Sequence, residues 1–443
     1  MEEYIEKRVC ARGSGYRIGE VDRLSNLPDC LLFEILTNLP TKDVVKFSVL
    51  SSRWRNLWRY VPGLDPTQEM SCIQKFRLNR NNDVKLDITH FTRWINTVVE
   101  RKVKHLHVLD SIRGWLQDKV RISPTVYTCE SLVSLNLYDI WLPNPESVSL
   151  PFLKDIVLDT VEFEDDRAFE MLISGCPVLE CLSISVDYYS NNEVIVCSQS
   201  LLSFTYVGYH FLGWIQNQEA VIDAPRLERV RLSDRHTASF IVKNLGSLVE
   251  ADTDIVFNLG FDKNFWFEEK LDANDLPKRE MIRNFLVGIS CVKDIKISSS
   301  TLQITYDYSR CESLPLFINI SFLRVEFFDN PWEILPIFLE SCPNIKSLTL
   351  GFIKSPREEG VGSMVPAPRR FLVSLEYVKI VKPMAAEATE TQLKLVSYFL
   401  ENSTILKKLT LCLGDFGDKE ESVFIKKLLT IPRLSSSCQV YVL

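Results

Sequence analysis

Beyond Pro66 one arrangement of apolar positions keeps returning along the chain. An apolar residue is followed by another three positions on and a third two further, with mostly polar residues between. It reads IQKFRL at Ile73, VKHLHV at Val103, LVSLNL at Leu132, LKDIVL at Leu153 and LECLSI at Leu179. LSFTY falls within a unit at Leu201, LERVRL follows at Leu227 and a weaker LVEADT at Leu248. Later copies are VKDIKI at Val292, LRVEF in a unit placed at Phe322, IKSLTL at Ile345, LEYVKI at Leu375 and LKKLTL at Leu406. Successive starts lie 21 to 31 residues apart, except for one interval of 44 after Leu248. Alternation over the last positions of each copy predicts a short strand, because side chains two apart share a face.

Most of these intervals lie at or slightly above the period of leucine-rich repeats, roughly 20–29 residues. Each unit is expected to give one strand of a parallel curved sheet and a connector on the convex side. Several connectors read as helices: HFTRWINTVVERK, DRAFEMLISGC, REMIRNFLVGI, WEILPIFLESC and TQLKLVSYFLENS. One unit cannot bury its own apolar face, so stacked neighbours must stabilise the array. The expected class is therefore α/β, with an irregular solenoid over residues 67–364 in place of the three domains that length alone suggests. An ordinary α/β domain is the alternative, since parallel strands are apolar in any case. The asparagine that usually follows such a strand is missing, as in LNLYDI, so no asparagine ladder is expected.

Upstream, the pattern changes to a helical period. Pro28 suits a first helical position and Asp29 the positive end of the helix dipole. Leu31, Leu32, Ile35, Leu36 and Leu39 then form one apolar face, which Pro40 ends. Thr41 can cap a second helix bearing Val44, Val45 and Phe47. A third carries Leu50, Trp54, Leu57 and Trp58 on one face, with Arg53, Arg55 and Arg59 largely outside it. Three short helices cannot hide this many large apolar side chains, and such a surplus predicts a permanent partner.

The stretch LPDCLLFEILTNLPTKDVVKFSVLSSRWRNLW closely resembles the F-box, a three-helix module that docks on the Skp adaptor of SCF ubiquitin ligases. Leu27-Pro28, Ile35-Leu36, Leu39-Pro40 and the W-x3-W ending fall in register with it. The resemblance implies that Leu27, Pro28, Leu31, Ile35, Leu39, Pro40, Val44, Val45, Leu50, Leu57 and Trp58 supply the adaptor-binding surface together with the module's small core. The module is placed at residues 21–66, after a flexible leader over 1–20. SLEYVKI, YFLENSTILKKLTL and PRLSSSCQVYVL resemble the FBD region that ends many plant F-box/leucine-rich-repeat proteins. Residues 365–443 would then add two repeat-like units, a helix through Val423–Leu429 and a last strand, CQVYVL, that caps the array.

Composition narrows the function classes further. The 443 residues are 46% hydrophobic and 25% charged with a net charge of −7, ordinary for a globular protein and unlike a nucleic-acid binder. No run is long and apolar enough for a signal peptide or a membrane helix, so neither nucleic acid nor membrane is an expected partner. Twelve scattered cysteines without a CxxC pair read as reduced, mostly buried thiols in a cytoplasmic or nuclear protein. His105 and His107 share one face of a strand, yet no further ligand is adjacent, and exposed strand histidines are expected instead of a metal site. The acidic run Glu164-Asp165-Asp166 suits a helix N-terminus. No nucleophile or phosphate-loop motif occurs, so no catalytic residue, metal or cofactor is expected.

Two function classes remain. One is a substrate-recognition subunit that docks on a Skp adaptor, and through it on a cullin-RING ligase core, and presents a protein target. The other is a leucine-rich-repeat scaffold or ligand receptor acting outside a ubiquitin ligase. Residues between the apolar positions should line the concave side, where solenoids bind partners. Lys75, Arg77, His105 and His107 come first there, and an acidic or phosphorylated target segment would meet them through charge-assisted hydrogen bonds. Further on, Arg229 and Arg231 are expected to be neutralised by Glu250 and Asp252.

Overall fold

The computed structural model describes residues 73–80, 88–110, 119–187, 194–209, 219–234, 239–243, 245–257, 271–327, 334–352, 370–381, 389–412 and 418–443, together with Leu32. Two compact units divide the chain, Met1–Gln74 and Lys75–Leu443. In the first, Leu32 is helical and fully buried, as its place on the apolar face of the first expected helix requires.

The second unit is built on parallel strands. In chain order they are β1 (Lys75–Arg80), β2 (His105–Asp110), β3 (Val120–Arg121), β4 (Ser134–Tyr138), β5 (Ile140–Leu142), β6 (Asp155–Asp159) and β7 (Glu162–Phe163). Next come β8 (Cys181–Asp187), β9 (Val194–Cys197), β10 (Ser203–Tyr209), β11 (Glu219–Asp223), β12 (Arg229–Asp234), β13 (Ser239–Lys243) and β14 (Glu250–Ile255). The series ends with β15 (Asp294–Ser298), β16 (Phe322–Phe327), β17 (Ser347–Phe352), β18 (Tyr377–Val381), β19 (Lys408–Cys412) and β20 (Gln439–Val442). Fourteen of them form one sheet, ordered β1-β2-β4-β6-β8-β10-β12-β14-β15-β16-β17-β18-β19-β20. Every expected repeat contributes a strand to it, including the weak unit at Leu248, and the C-terminal CQVYVL supplies the last.

Burial follows the motif. In the unit at Leu132, positions one, four and six are Leu132, Leu135 and Leu137, all essentially inaccessible, while Ser134 and Asn136 face outward. The same division holds for Leu227, Val230 and Leu232 against Arg229 and Arg231. One unit is shifted from its expected frame. Ile320, not Phe322, is the buried first position, and Phe322 stands 52% exposed at position three.

Neighbouring units are tied by a repeated main-chain device. The carbonyl at motif position two accepts the N–H groups of positions two and three of the next unit. Lys104 O takes Val133 N and Ser134 N at 2.7 and 3.1 Å, and Lys154 O takes Glu180 N and Cys181 N at 2.9 Å each. Glu228 O, Val249 O, Lys293 O and Lys346 O repeat the arrangement further along. This backbone ladder satisfies the strand entrances without an asparagine ladder.

The connectors are only partly helical. The expected helices are present: α1 (Ile88–Glu100), α2 (Asp166–Ser174), α3 (Leu276–Gly288), a short α5 (Leu335–Glu340), α6 (Thr389–Asn402) and α7 (Asp418–Thr430), with α4 (Ser299–Ser309) unforeseen. Asp165 caps α2 by accepting from Arg167 N at 3.2 Å, as the acidic run suggests. Between β2 and β14, however, every connector carries a strand. β3, β5 and β7 form one small parallel sheet, and β9, β11 and β13 another. Lys119, just before β3, binds the first of these together. Its ammonium reaches Asp139 at 2.9 Å, Glu162 at 3.0 Å and the Thr160 carbonyl at 3.0 Å.

The nine described cysteines are all free thiols: four buried, four half-buried and Cys197 exposed. Burial alone pushes the Cys176 thiol up to about 12 and the Cys342 thiol further, which makes both inert. No helix among the described residues is long and apolar enough to cross a membrane.

Candidate functional site

The eleven expected adaptor-binding positions, Leu27 through Trp58, lie outside the described residues. The expected target-binding residues are described. Parallel pairing of β1 with β2 sets Lys75 opposite His105 and Arg77 opposite His107, so the four form a compact square on the outward face. Lys75, Arg77 and His105 are exposed, whereas His107 is half-buried. Desolvation, then the charges of Arg77 and Lys75, hold the His107 imidazole below its ordinary pKa. It is therefore a neutral hydrogen-bonding group beside two cations.

The next strand adds Asn136, which the sequence places on the same outward face without assigning it to the site, and Tyr138, which the sequence does not point to. Asn136 pairs in register with His107, and Tyr138 packs its ring on the imidazole at 5.1 Å between centroids. His107 Nε2 and Asn136 Oδ1 are both shielded from solvent without a hydrogen-bond partner among the described residues. The motif frame contains the signal for Asn136, since position five of one strand faces position five of the next, whereas Tyr138 lies at position seven, beyond the motif. Charge alone had drawn the boundary too tightly.

Further along the sheet several outward charges pair across strands, although Glu250 and Asp294 stand opposite each other as like charges. Arg231 pairs with Asp252 at 3.6 Å, and Arg229 stands opposite Glu250 in register. The network runs further than expected. Lys296 reaches Asp252 at 3.6 Å and Glu326 at 3.1 Å, and Arg324 meets Glu326 at 2.8 Å. Among the described residues no three His, Cys, Asp or Glu side chains converge as a metal site. The face presents charge and hydrogen-bonding groups outward.

Comparison with known proteins matches three parts of the chain. The F-box domain model covers residues 24–64. The model described as FBD-associated F-box protein At5g56370, LRR repeats, covers 91–244, and the FBD model covers 365–411. FBD-associated F-box protein At4g13985 of Arabidopsis thaliana is 61% identical over the whole of both chains. The chain belongs to the FBD-associated F-box/leucine-rich-repeat family. F-box/LRR-repeat protein 13 and F-box/FBD/LRR-repeat protein At1g78750, both also from Arabidopsis thaliana, are 53% and 52% identical over at least 99% of each chain. In this F-box/FBD/LRR protein, an F-box and a repeat array together make up the domain plan of a substrate adaptor. The outward square on β1 and β2 lies at the start of the array in sequence, directly after the F-box.

Proposed function

We propose that this protein is the non-catalytic substrate-recognition subunit of an SCF-type ubiquitin ligase. It docks on a Skp adaptor through its F-box and presents a target protein on the outward face of the fourteen-stranded sheet. The observation that carries this reading is the F-box match at residues 24–64 joined to that sheet in one chain. Catalysis then belongs to the ubiquitin-conjugating enzyme, and this chain contributes proximity, in the cytoplasm or nucleus. Residues 20–66 are expected to co-purify with a Skp adaptor, and residues 70–443 are not. Equal capture of the adaptor by the repeat fragment would overturn the assignment. In the full chain, replacing Leu27 and Pro28 by alanine should weaken capture more than Arg55→Ala does.

The square of Lys75, Arg77, His105 and His107 is the part of the face assigned to an acidic or phosphorylated target segment. Its support is the positive charge of Lys75 and Arg77, which has no ion pair among the described residues and which the third strand answers only with Ser134, Asn136 and Tyr138. Reversing Lys75 and Arg77 to glutamate should leave adaptor capture intact and change the set of captured proteins. An unchanged set would remove these residues from the binding surface.

A further inference from the structure

The C-terminal end of the sheet presents a different chemistry from its start. Phe322 on β16 and Tyr377 on β18 are 52% and 43% exposed, although both sit at motif position three of well-packed units. Pairing through β17 places Ser347 between them in register. Two strand spacings set the Phe322 and Tyr377 backbones about 10 Å apart, with the short Ser347 side chain in the gap. That spacing admits one large side chain from a partner, with a ring on either side of it.

Charge around this slot is divided, with a carboxylate on its β15 side and a cation on its β18 side. Glu326 is held by Lys296 and Arg324, and Glu376 by Lys407 at 2.7 Å, whereas Asp294, the register partner of Phe322 on β15, leaves an exposed carboxylate at the opposite edge of the slot from Lys379. No acidic residue stands at positions three or five of β16 to β20. Lys379, in register between Thr349 and Thr410, is exposed and has no ion pair among the described residues. At the far side Lys408 lies 4.4 Å over the Tyr441 ring, which extends the cationic and aromatic character to the last strand. The middle of the sheet, by contrast, neutralises itself through Arg231, Asp252, Lys296 and Glu326.

We propose that the face formed by β16 to β18 docks an acidic segment of a target protein by seating one large apolar side chain between Phe322 and Tyr377. Carboxylates beside that side chain meet Lys379 by charge-assisted hydrogen bonds. Exposed aromatics that become enclosed are the residues from which interfaces draw most of their energy, and the adjacent cation sets the sign of the partner. The proposal rests on reading the array as the target-presenting surface. It adds a second site, remote in sequence from Lys75 and Arg77, with an apolar requirement that the first lacks.

The test uses the full chain and three blocked, fluorescent synthetic peptides. One carries a tryptophan flanked by aspartate and glutamate, the second has serine in place of that tryptophan, and the third has lysine in place of every acid. The tryptophan–acid peptide should bind about tenfold more tightly than the serine peptide, the increment of one buried aromatic anchor. Phe322→Ser and Tyr377→Ser should each erase that increment, and Lys379→Glu should weaken the tryptophan–acid peptide by about tenfold. Reversal of Lys75 and Arg77 should leave the increment intact. The proposal fails if the wild-type chain shows no increment, if the lysine peptide binds as well, or if none of the three variants alters binding. Capture of a Skp adaptor, measured on the same preparations, separates failure of this face from failure of the ligase reading, and circular dichroism confirms that the variants are folded.

Discussion

Phe257→Ala is expected to destabilise the repeat array by about 3–5 kcal/mol, and Phe257→Gly by less, although glycine removes one carbon more. The two effects have different origins. Phe257 follows β14 with φ at 53°, in the left-handed region, while its ring is buried and meets the Phe285 ring edge-on at 5.2 Å. Removing the ring leaves a cavity between β14 and α3 in either variant. Alanine keeps the left-handed strain, whereas glycine relieves roughly 1–2 kcal/mol of it. The backbone cannot simply relax, because the Phe257 carbonyl accepts the half-buried Lys278 ammonium at 2.6 Å. Urea denaturation of the three full-length proteins checks the order: wild type, then glycine, then alanine. An alanine variant as stable as the glycine variant would show that the conformation stores no strain.

The second large effect belongs to one hydroxyl. Pairing between β14 and β15 ends at Thr253 and Ile297, after which the chain turns directly into α4. Thr301 then takes over the ladder. Its Oγ1 accepts from Ile255 N at 2.7 Å and donates to Ile255 O at 2.9 Å, in a fully buried position. Valine has the same shape without the hydroxyl. Thr301→Val should therefore cost roughly 2–6 kcal/mol, since two buried backbone groups each lose about 1–3 kcal/mol. Thr301→Ser keeps the oxygen and should lose far less. Thermal unfolding that ranks valine and serine together would place the loss in packing instead.

These two sites lie where the sequence was hardest to read. The repeat strands were legible because the motif demands buried side chains at three fixed positions, and the chain supplies them with few exceptions. Phe322 is the instructive exception. It is apolar but lies at position three of the copy ISFLRV, in which Ile320, Leu323 and Val325 fill the core and alternation turns Phe322 outward. Helix α4 was hidden for a related reason. Leu302, Ile304, Tyr306 and Tyr308 alternate as a strand would, and Thr301 and Thr305 are poor helix formers. Its helical state comes from burial on several sides, which no local period reveals. The connector strands do carry a signal, since VIV in β9, AVI in β11 and FIV in β13 are runs of strand-forming residues. At the candidate site, residue type identified the cations and imidazoles. Register was needed to add Asn136 and Tyr138.

The paired backbone bonds that join each unit to the next bear on how such proteins diversify. Those bonds use only main-chain atoms, so they make no demand on the side chains at positions three and five. Substitutions there leave the scaffold's own bonding untouched, and gene-level gain or loss of a whole unit re-forms the same junction between the units on either side. Selection on the outward face thus leaves the main-chain junctions between units unchanged. One scaffold can therefore be retargeted many times in a lineage without being rebuilt.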